Sequence, residues 1–313
     1  MEEPRLRDEF VTFVYDLQDK ICDGLEWYEP EVRFHEDNWE RKGGGGGRTR
    51  VIEKGDVFEK GGVNCSTVDG ELPEAIKKRF GVDYGWFFAT GVSLVIHPVS
   101  PMVPTVHANF RYFELYDDPE GEHIRDAWFG GGADLTPYYL WEEDAVHFHK
   151  TLKAACDRHD PAFYPRFKKE CDEYFYNSHR EEARGVGGLF FDYLRETDKH
   201  SIHDWHKFVT DVGAVFLDSY LPILEKRKDL EYTEEQRYFQ EIRRGRYVEF
   251  NLIHDRGTLF GLKTGGRIDS ILMSLPPRVR WDYHYDIEEG SREEALMKVL
   301  KKPREWVNPN YSH

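Results

Sequence analysis

The sequence predicts an α+β fold around an antiparallel sheet. Alternating, strand-like stretches follow one another between residues 51 and 137 and recur after residue 247. Helical spacing is confined to the N-terminus, to residues 142–245 and to a short piece near the C-terminus. Hairpin-type connections outnumber alternating strand–helix units, which argues against a parallel sheet. No internal repeat or linker-like tract interrupts the chain, so residues 1–313 read as a single domain.

The elements follow from local pattern. Leu6, Phe10, Phe13, Val14, Leu17 and Ile21 recur at helical spacing and predict an amphipathic helix over 5–27. The run Gly43 to Gly47 is a low-complexity tract ahead of a strand-like segment that includes Val51-Ile52 and Val57-Phe58. Trp86 to His97 predicts a strand ended by Pro98, and Thr105 to Phe113 predicts the next. Residues 142–157 and 162–184 read as helices, the second closed by His179-Arg180-Glu181-Glu182-Ala183-Arg184-Gly185. Gly185, Gly187 and Gly188 break the pattern before Leu189-Phe190-Phe191. Residues 202–245 are largely helical. Two strands, Tyr247 to His254 and Thr258 to Lys263, are expected next, joined by a hairpin turn at Asp255-Arg256-Gly257. A last helix spans about Ser291 to Leu300.

Composition narrows the function. Aromatic residues make up 15% of the chain, more bulky apolar surface than a disordered segment carries. The net charge of −16 disfavours general binding to nucleic acid or anionic membranes. No apolar run approaches the length of a membrane-spanning helix. Cys22, Cys65, Cys156 and Cys171 are scattered, without a CxxC pair, which predicts neither disulfide framework nor cysteine metal site. The mixed, acidic N-terminus resembles neither a signal nor a transit peptide, so a cytoplasmic location is expected. Asn64-Cys65-Ser66 fits a glycosylation acceptor that such a protein would not use.

Chemistry concentrates in the strand Thr105-Val-His-Ala-Asn-Phe-Arg-Tyr-Phe113. Alternation sends His107, Asn109 and Arg111 to one face and Val106, Ala108 and Phe110 to the other. An imidazole, an amide and a guanidinium in one row suit an anionic, hydrogen-bonding ligand. Downstream, Trp128-Phe-Gly-Gly-Gly-Ala-Asp134-Leu-Thr-Pro137 carries a lone acid after three glycines, readable as a ligand-approaching backbone or as a tight turn. His97 ends an apolar run, where a lone histidine is more often a satisfied core or edge residue than a ligand. His147 and His149, two residues apart in a helix, face different ways and cannot chelate one metal together. Between Glu241 and Trp281, eight positive charges (Arg243, Arg244, Arg246, Arg256, Lys263, Arg267, Arg278, Arg280) face four negative ones (Glu241, Glu249, Asp255, Asp269). That local excess suits a small polycarboxylate, or internal ion pairs. Neither GxGxxG, GxxxxGK[ST] nor GxSxG is present, which disfavours nicotinamide, ATP and acyl-serine chemistry.

These residues carry a resemblance. Glu40-Arg-Lys with Gly43 to Gly47, Gly91-Val-Ser93-Leu-Val-Ile-His97-Pro98, Pro104-Thr-Val-His107-Ala-Asn109-Phe-Arg111 and Trp128 to Pro137 stand in the order found in oxygen-dependent coproporphyrinogen III oxidases. So do Glu143-Asp144 with His149, His179 to Gly188, Arg243 to Asn251, Asp255-Arg-Gly-Thr258 and Ser270 to Pro276. The chain resembles that family from about residue 10 to 307. The resemblance implies a large antiparallel sheet flanked by helices, a homodimer, and oxidative decarboxylation of two propionates of coproporphyrinogen III to vinyl groups, giving protoporphyrinogen IX for heme biosynthesis. It implies dioxygen as co-substrate and no organic cofactor. The radical route to the same product needs a CxxxCxxC site, which is absent.

Substrate-contacting positions of the family fall on Ser93, His107, Asn109, Phe110, Arg111, Gly265, Gly266 and Arg267, with His107 the proton donor. The metal ligands assigned in bacterial members fall on His97, His107, His149 and His179, whereas eukaryotic members are described as metal-free. Ser100 and His254 depart from the usual pattern, which has Asn and Tyr there. A site for this substrate needs cations for its carboxylates, an acid or base near the ring centre and apolar walls. Arg111, Arg256 and Arg267, with Arg184, are expected to anchor propionates. Asp134 or Asp255 would meet the pyrrole N–H groups, and His107 would relay protons.

Overall fold

A computed structural model describes residues 5–74, 77–78, 81–263 and 266–307. Helix α1 (Leu6–Glu26) buries Phe10, Val14, Leu17, Gln18, Ile21, Cys22 and Leu25, the stripe its spacing predicts. Then come β1 (His35–Glu40), β2 (Gly45–Glu53), β3 (Phe58–Glu71), β4 (Trp86–Pro98), β5 (Thr105–Tyr116) and β6 (Ile124–Thr136). Helices α2 (Glu142–Asp157) and α3 (Phe163–Tyr174) lead to a small hairpin, β7 (Tyr176–Asn177) with β8 (Glu182–Ala183), and to β9 (Gly187–Leu194). Helices α4 (Ile202–Ala214), α5 (Phe216–Arg227), α6 (Glu234–Ile253), α7 (Arg256–Lys263), α8 (Ile268–Leu272) and α9 (Arg292–Lys301) complete the described residues.

The sheet has seven strands in the order β1-β2-β3-β4-β5-β6-β9, every neighbour antiparallel. Its β9 edge is shielded by α3, where Phe167 meets Phe191 at 5.2 Å between ring centroids. The β1 edge is exposed and carries His35, Glu36, Asp37 and Glu40, charges that discourage edge-to-edge pairing. One face packs against α1 and α4: Phe110, fully buried, lies close to Gly213, which in turn abuts Phe13 and Leu17. The other face is polar and looks toward α6, the segment 267–276 and the turn before β9.

Four expectations change. The 51–58 segment is two strands, β2 and β3, that reverse at Lys54–Val57 around the buried Glu29 carboxylate; it accepts the backbone N–H groups of Asp56, Val57 and Phe58. The glycine-rich stretch before Asp134 is neither loop nor turn but the interior of β6. Helix α3 stops at Tyr174, and His179 to Ala183 belong to the β7–β8 turn and its return strand. The expected hairpin over 247–263 is helical: α6 runs unbroken to Ile253 and α7 follows. Aromatic and β-branched residues (Tyr247, Val248, Phe250) made that stretch strand-like. The Thr233–Gln236 capping box starts a helix 13 residues earlier, whose buried face includes Phe239, Gln240, Arg243, Arg244, Tyr247, Val248 and Asn251.

Candidate active site

Strand pairing assembles a floor on the polar face. His107 on β5 is opposite Asp134 on β6, and Asp134 is opposite Gly188 on β9. The next row holds Asn109 with Ser93 and Asn64 on one side and Gly132 on the other. Beyond it, Arg111 is flanked by Gly91 and Gly130. Gly188 can carry no side chain, because a Cβ there would lie 1.9 Å from the Ala133 carbonyl oxygen. The same register sends the Phe110 side chain through to the buried core, so of that predicted contact only its backbone faces the ligand side.

At one end of the floor, Asp134 is buried with both oxygens occupied. His107 Nδ1 donates to Oδ1 at 2.8 Å, while Arg184 donates to both oxygens at 2.7 and 2.9 Å. Burial alone would raise the Asp134 pKa. The Arg184 charge and the His107 hydrogen bond outweigh it and hold the carboxyl below its ordinary value. With Nδ1 committed, His107 presents Nε2 as the exchangeable nitrogen of a ring that remains one-fifth exposed. Arg184 also donates to Asn251 Oδ1 at 3.0 Å, and its guanidinium lies 3.9, 4.7 and 4.9 Å from the ring centroids of Phe175, Tyr247 and Phe250.

At the other end, Asp192 lies between two arginines. Arg111 Nη2 is 2.9 Å from Asp192 Oδ1, and Arg256 Nη2 is 3.9 Å from Oδ2. Asn109 steadies Arg111 through a 2.9 Å hydrogen bond. Tyr174 and Phe190, stacked at 4.0 Å, pack beneath Arg256. Arg111 and Arg256 remain 38% and 50% exposed, so this end keeps a net positive charge open to an anion.

The other predicted residues are dispersed. Asp255 caps α7: it accepts from Thr258 N and Oγ1, both at 2.7 Å, and from Tyr174 Oη at 2.8 Å. Arg267 pairs with Asp37 of β1 and donates to Ser270. Gly266 sits in the turn before α8, and Gly265 lies outside the described residues. Most of the basic excess over 241–281 is internal pairing: Arg243 with Glu182, Arg244 with Glu59, Arg246 with Glu249 and Arg280 with Glu241.

The four histidines of the implied metal set do not form one centre in this chain. His97 is fully buried with its nitrogens on Thr105 Oγ1 and the Ser274 carbonyl. His149 is equally buried, bonded to Tyr164 Oη and the Val186 carbonyl, and burial depresses its pKa to about 3. His179 stands at the surface between His254 and Glu249. Among the described residues no group of three His, Cys, Asp or Glu could hold a metal ion. Hydrogen bonds within the protein account for the imidazoles at these positions, and no step below uses a metal.

Sequence reasoning missed Asp192, Asn251, Phe175 and the site-facing position of Tyr247. Asp192 carried a faint signal, an acid after the apolar run Leu189-Phe190-Phe191, but nothing local places it opposite Arg111.

The chain is similar to known proteins over nearly its whole length. The sequence profile of the family described as coproporphyrinogen III oxidase matches residues 9–306. Coproporphyrinogen-III oxidase 1, chloroplastic, from Arabidopsis thaliana is 50% identical over 311 residues, covering 96% of this chain and 80% of that protein. The oxygen-dependent coproporphyrinogen-III oxidase of Drosophila melanogaster is 49% identical over 317 residues, covering 98% of this chain and 80% of that protein. A match of this extent, through every strand that builds the floor, places the chain in the coproporphyrinogen III oxidase family.

Proposed function

We propose that this protein uses dioxygen to decarboxylate two propionates of coproporphyrinogen III oxidatively to vinyl groups, yielding protoporphyrinogen IX. The observation that carries the reading is the pairing of His107 and Asp134 at one end of a small-residue floor with the half-open Arg111 and Arg256 at the other. A propionate carboxylate bound by the two arginines, whose partner Asp192 lies with Arg111 over Gly130, places its ring along the floor toward Gly132 and His107. Each charge-assisted bond contributes roughly 1.5–3 kcal/mol. Asp134, held by Arg184, fixes the His107 tautomer, so that Nε2 can take or return a proton at the substrate. Asp134 and Asp255 act in this scheme through their neighbours, since their oxygens are already engaged.

Each propionate gives vinyl, CO2 and hydrogen peroxide from one dioxygen and one proton, and the chain's residues need only bind, orient and move that proton. We propose further that no organic cofactor takes part and that the protein acts as a homodimer in the cytoplasm. Exposed Leu252, Ile253 and Ile268 support a subunit contact. Four buried, unpaired cysteines accord with a reducing compartment. No helix among the described residues is long and apolar enough to cross a membrane.

The test is an assay with coproporphyrinogen III under air and under nitrogen. Vinyl product with matching oxygen uptake supports the reading. Tight binding without oxygen uptake would make the protein a tetrapyrrole carrier and refute it.

A further inference from the structure

One side chain behind the floor has no structural explanation. Tyr247, on α6, is buried, and among the described residues its hydroxyl has no partner at hydrogen-bond distance, although the Asn251 side chain is close enough to act on the phenol oxygen. A hydroxyl removed from water without a partner is destabilising, and native proteins keep few of them. This one is at the centre of the site. Its ring packs against the Arg184 guanidinium at 4.7 Å and against the His97 ring at 5.3 Å. Arg184 in turn holds Asp134 and Asn251.

We infer that the Tyr247 hydroxyl is a hydrogen-bond donor reserved for the oxygen co-substrate as it is reduced to peroxide beside Arg184. The inference rests on the oxygen-dependent reaction proposed above and adds a residue to it. Access supports the assignment. The partly exposed His107, Asn109 and Arg111 define where a macrocycle can lie, whereas the Tyr247 oxygen is buried, and a diatomic molecule reaches a buried donor more readily than a macrocycle does. Surroundings support it too. Phe175, Phe250 and the His97 ring form a weakly polar wall, in which a neutral donor and a fixed cation act strongly on developing negative charge. Burial keeps the phenol protonated, outweighing the opposite influence of Arg184.

The chemistry balances without a net proton from Tyr247. A propionate R–CH2–CH2–COO⁻ loses its carboxylate as CO2 and a hydrogen with its electron pair from the carbon next to the ring. Dioxygen accepts that pair and hydrogen, and one solvent proton completes H2O2 and leaves R–CH=CH2. The phenol only donates a hydrogen bond to the reduced oxygen.

Tyr247→Phe removes one oxygen atom and no packing. The expected result is a Tm equal to or above wild type, an unchanged KM for coproporphyrinogen III, and kcat/KM for dioxygen lowered tenfold or more, the scale on which loss of one such donor is felt. Unchanged oxygen kinetics overturns the inference. So does a lower Tm with the two substrates affected alike, which would mark the hydroxyl as structural. Wild-type protein assayed in parallel separates the layers: if it takes up no oxygen, the proposed reaction fails and this inference with it. If it turns over and Tyr247→Phe matches it, only the role of Tyr247 is lost.

Discussion

Arg184 grips both carboxylate oxygens of Asp134 in a pair that solvent scarcely touches, the two side chains being 2% and 1% exposed. Breaking one side strands a buried charge. Asp134→Asn is expected to destabilise the protein by about 3–5 kcal/mol and to lower turnover by about a hundredfold or more. Arg184→Lys should also fail, because an ammonium lacks the planar fork with which the guanidinium spans Asp134 and Asn251. Replacing the pair with Asp134→Leu and Arg184→Met should recover much of the Tm and none of the activity. Thermal melts beside a vinyl assay distinguish these outcomes, and an active double variant would refute the role assigned to the pair.

His107 is partly exposed and its ring is not core packing, so its loss should show in rate rather than in stability. His107→Gln is expected to lower kcat by about 10²–10⁴ with little change in Tm. A kcat equal to wild type would move the proton transfer to another group.

Arg111 and Arg256 share Asp192 and are the exposed cations of the floor. Arg111→Gln should raise KM for coproporphyrinogen III by roughly tenfold or more, corresponding to one lost charge-assisted bond, with a smaller effect on kcat. Arg256→Gln should do the same more weakly. Steady-state kinetics decides; equal KM in both variants would place the propionates elsewhere.

Two buried histidines make the fold acid-sensitive. His149 has a folded-state value of about 3 against an ordinary value of 6.5, and burial moves His97 in the same direction. Both must stay neutral in the folded protein, so their contribution is complete above pH 6.5 and falls as pH drops below it. The slope is about 1.4 kcal/mol per pH unit for each such group. Asp134, whose folded value is depressed, adds a loss only at lower pH, as acidity passes below its ordinary 3.8. Denaturant melts from pH 8 to 4 should show the first phase, and His149→Gln should reduce its slope.

With three of its four candidate histidines committed elsewhere and His107 alone at the site, the protein is expected to keep its turnover after exhaustive chelation. Activity that disappears on chelation and returns with one equivalent of a divalent ion would reverse this expectation.

Much of this protein was legible in its residues. Period-two alternation put His107, Asn109 and Arg111 on one face and Phe110 on the other, because a strand leaves no choice about which side chains share a side. The N-terminal helix, the helix over 142–157 and the largely helical stretch over 202–245 were read from local pattern for the same reason. Where two local preferences competed, the reading failed. Tyr247 to Phe250 has strand composition, but helical hydrogen bonding already under way from the Thr233 cap carries through it. Strand register, by contrast, is a relation between distant segments. Only the folded chain could set Asp134 opposite His107, bring Arg184 across to it and leave Asp192 between two arginines, since each contact depends on how the sheet pairs and what packs over it.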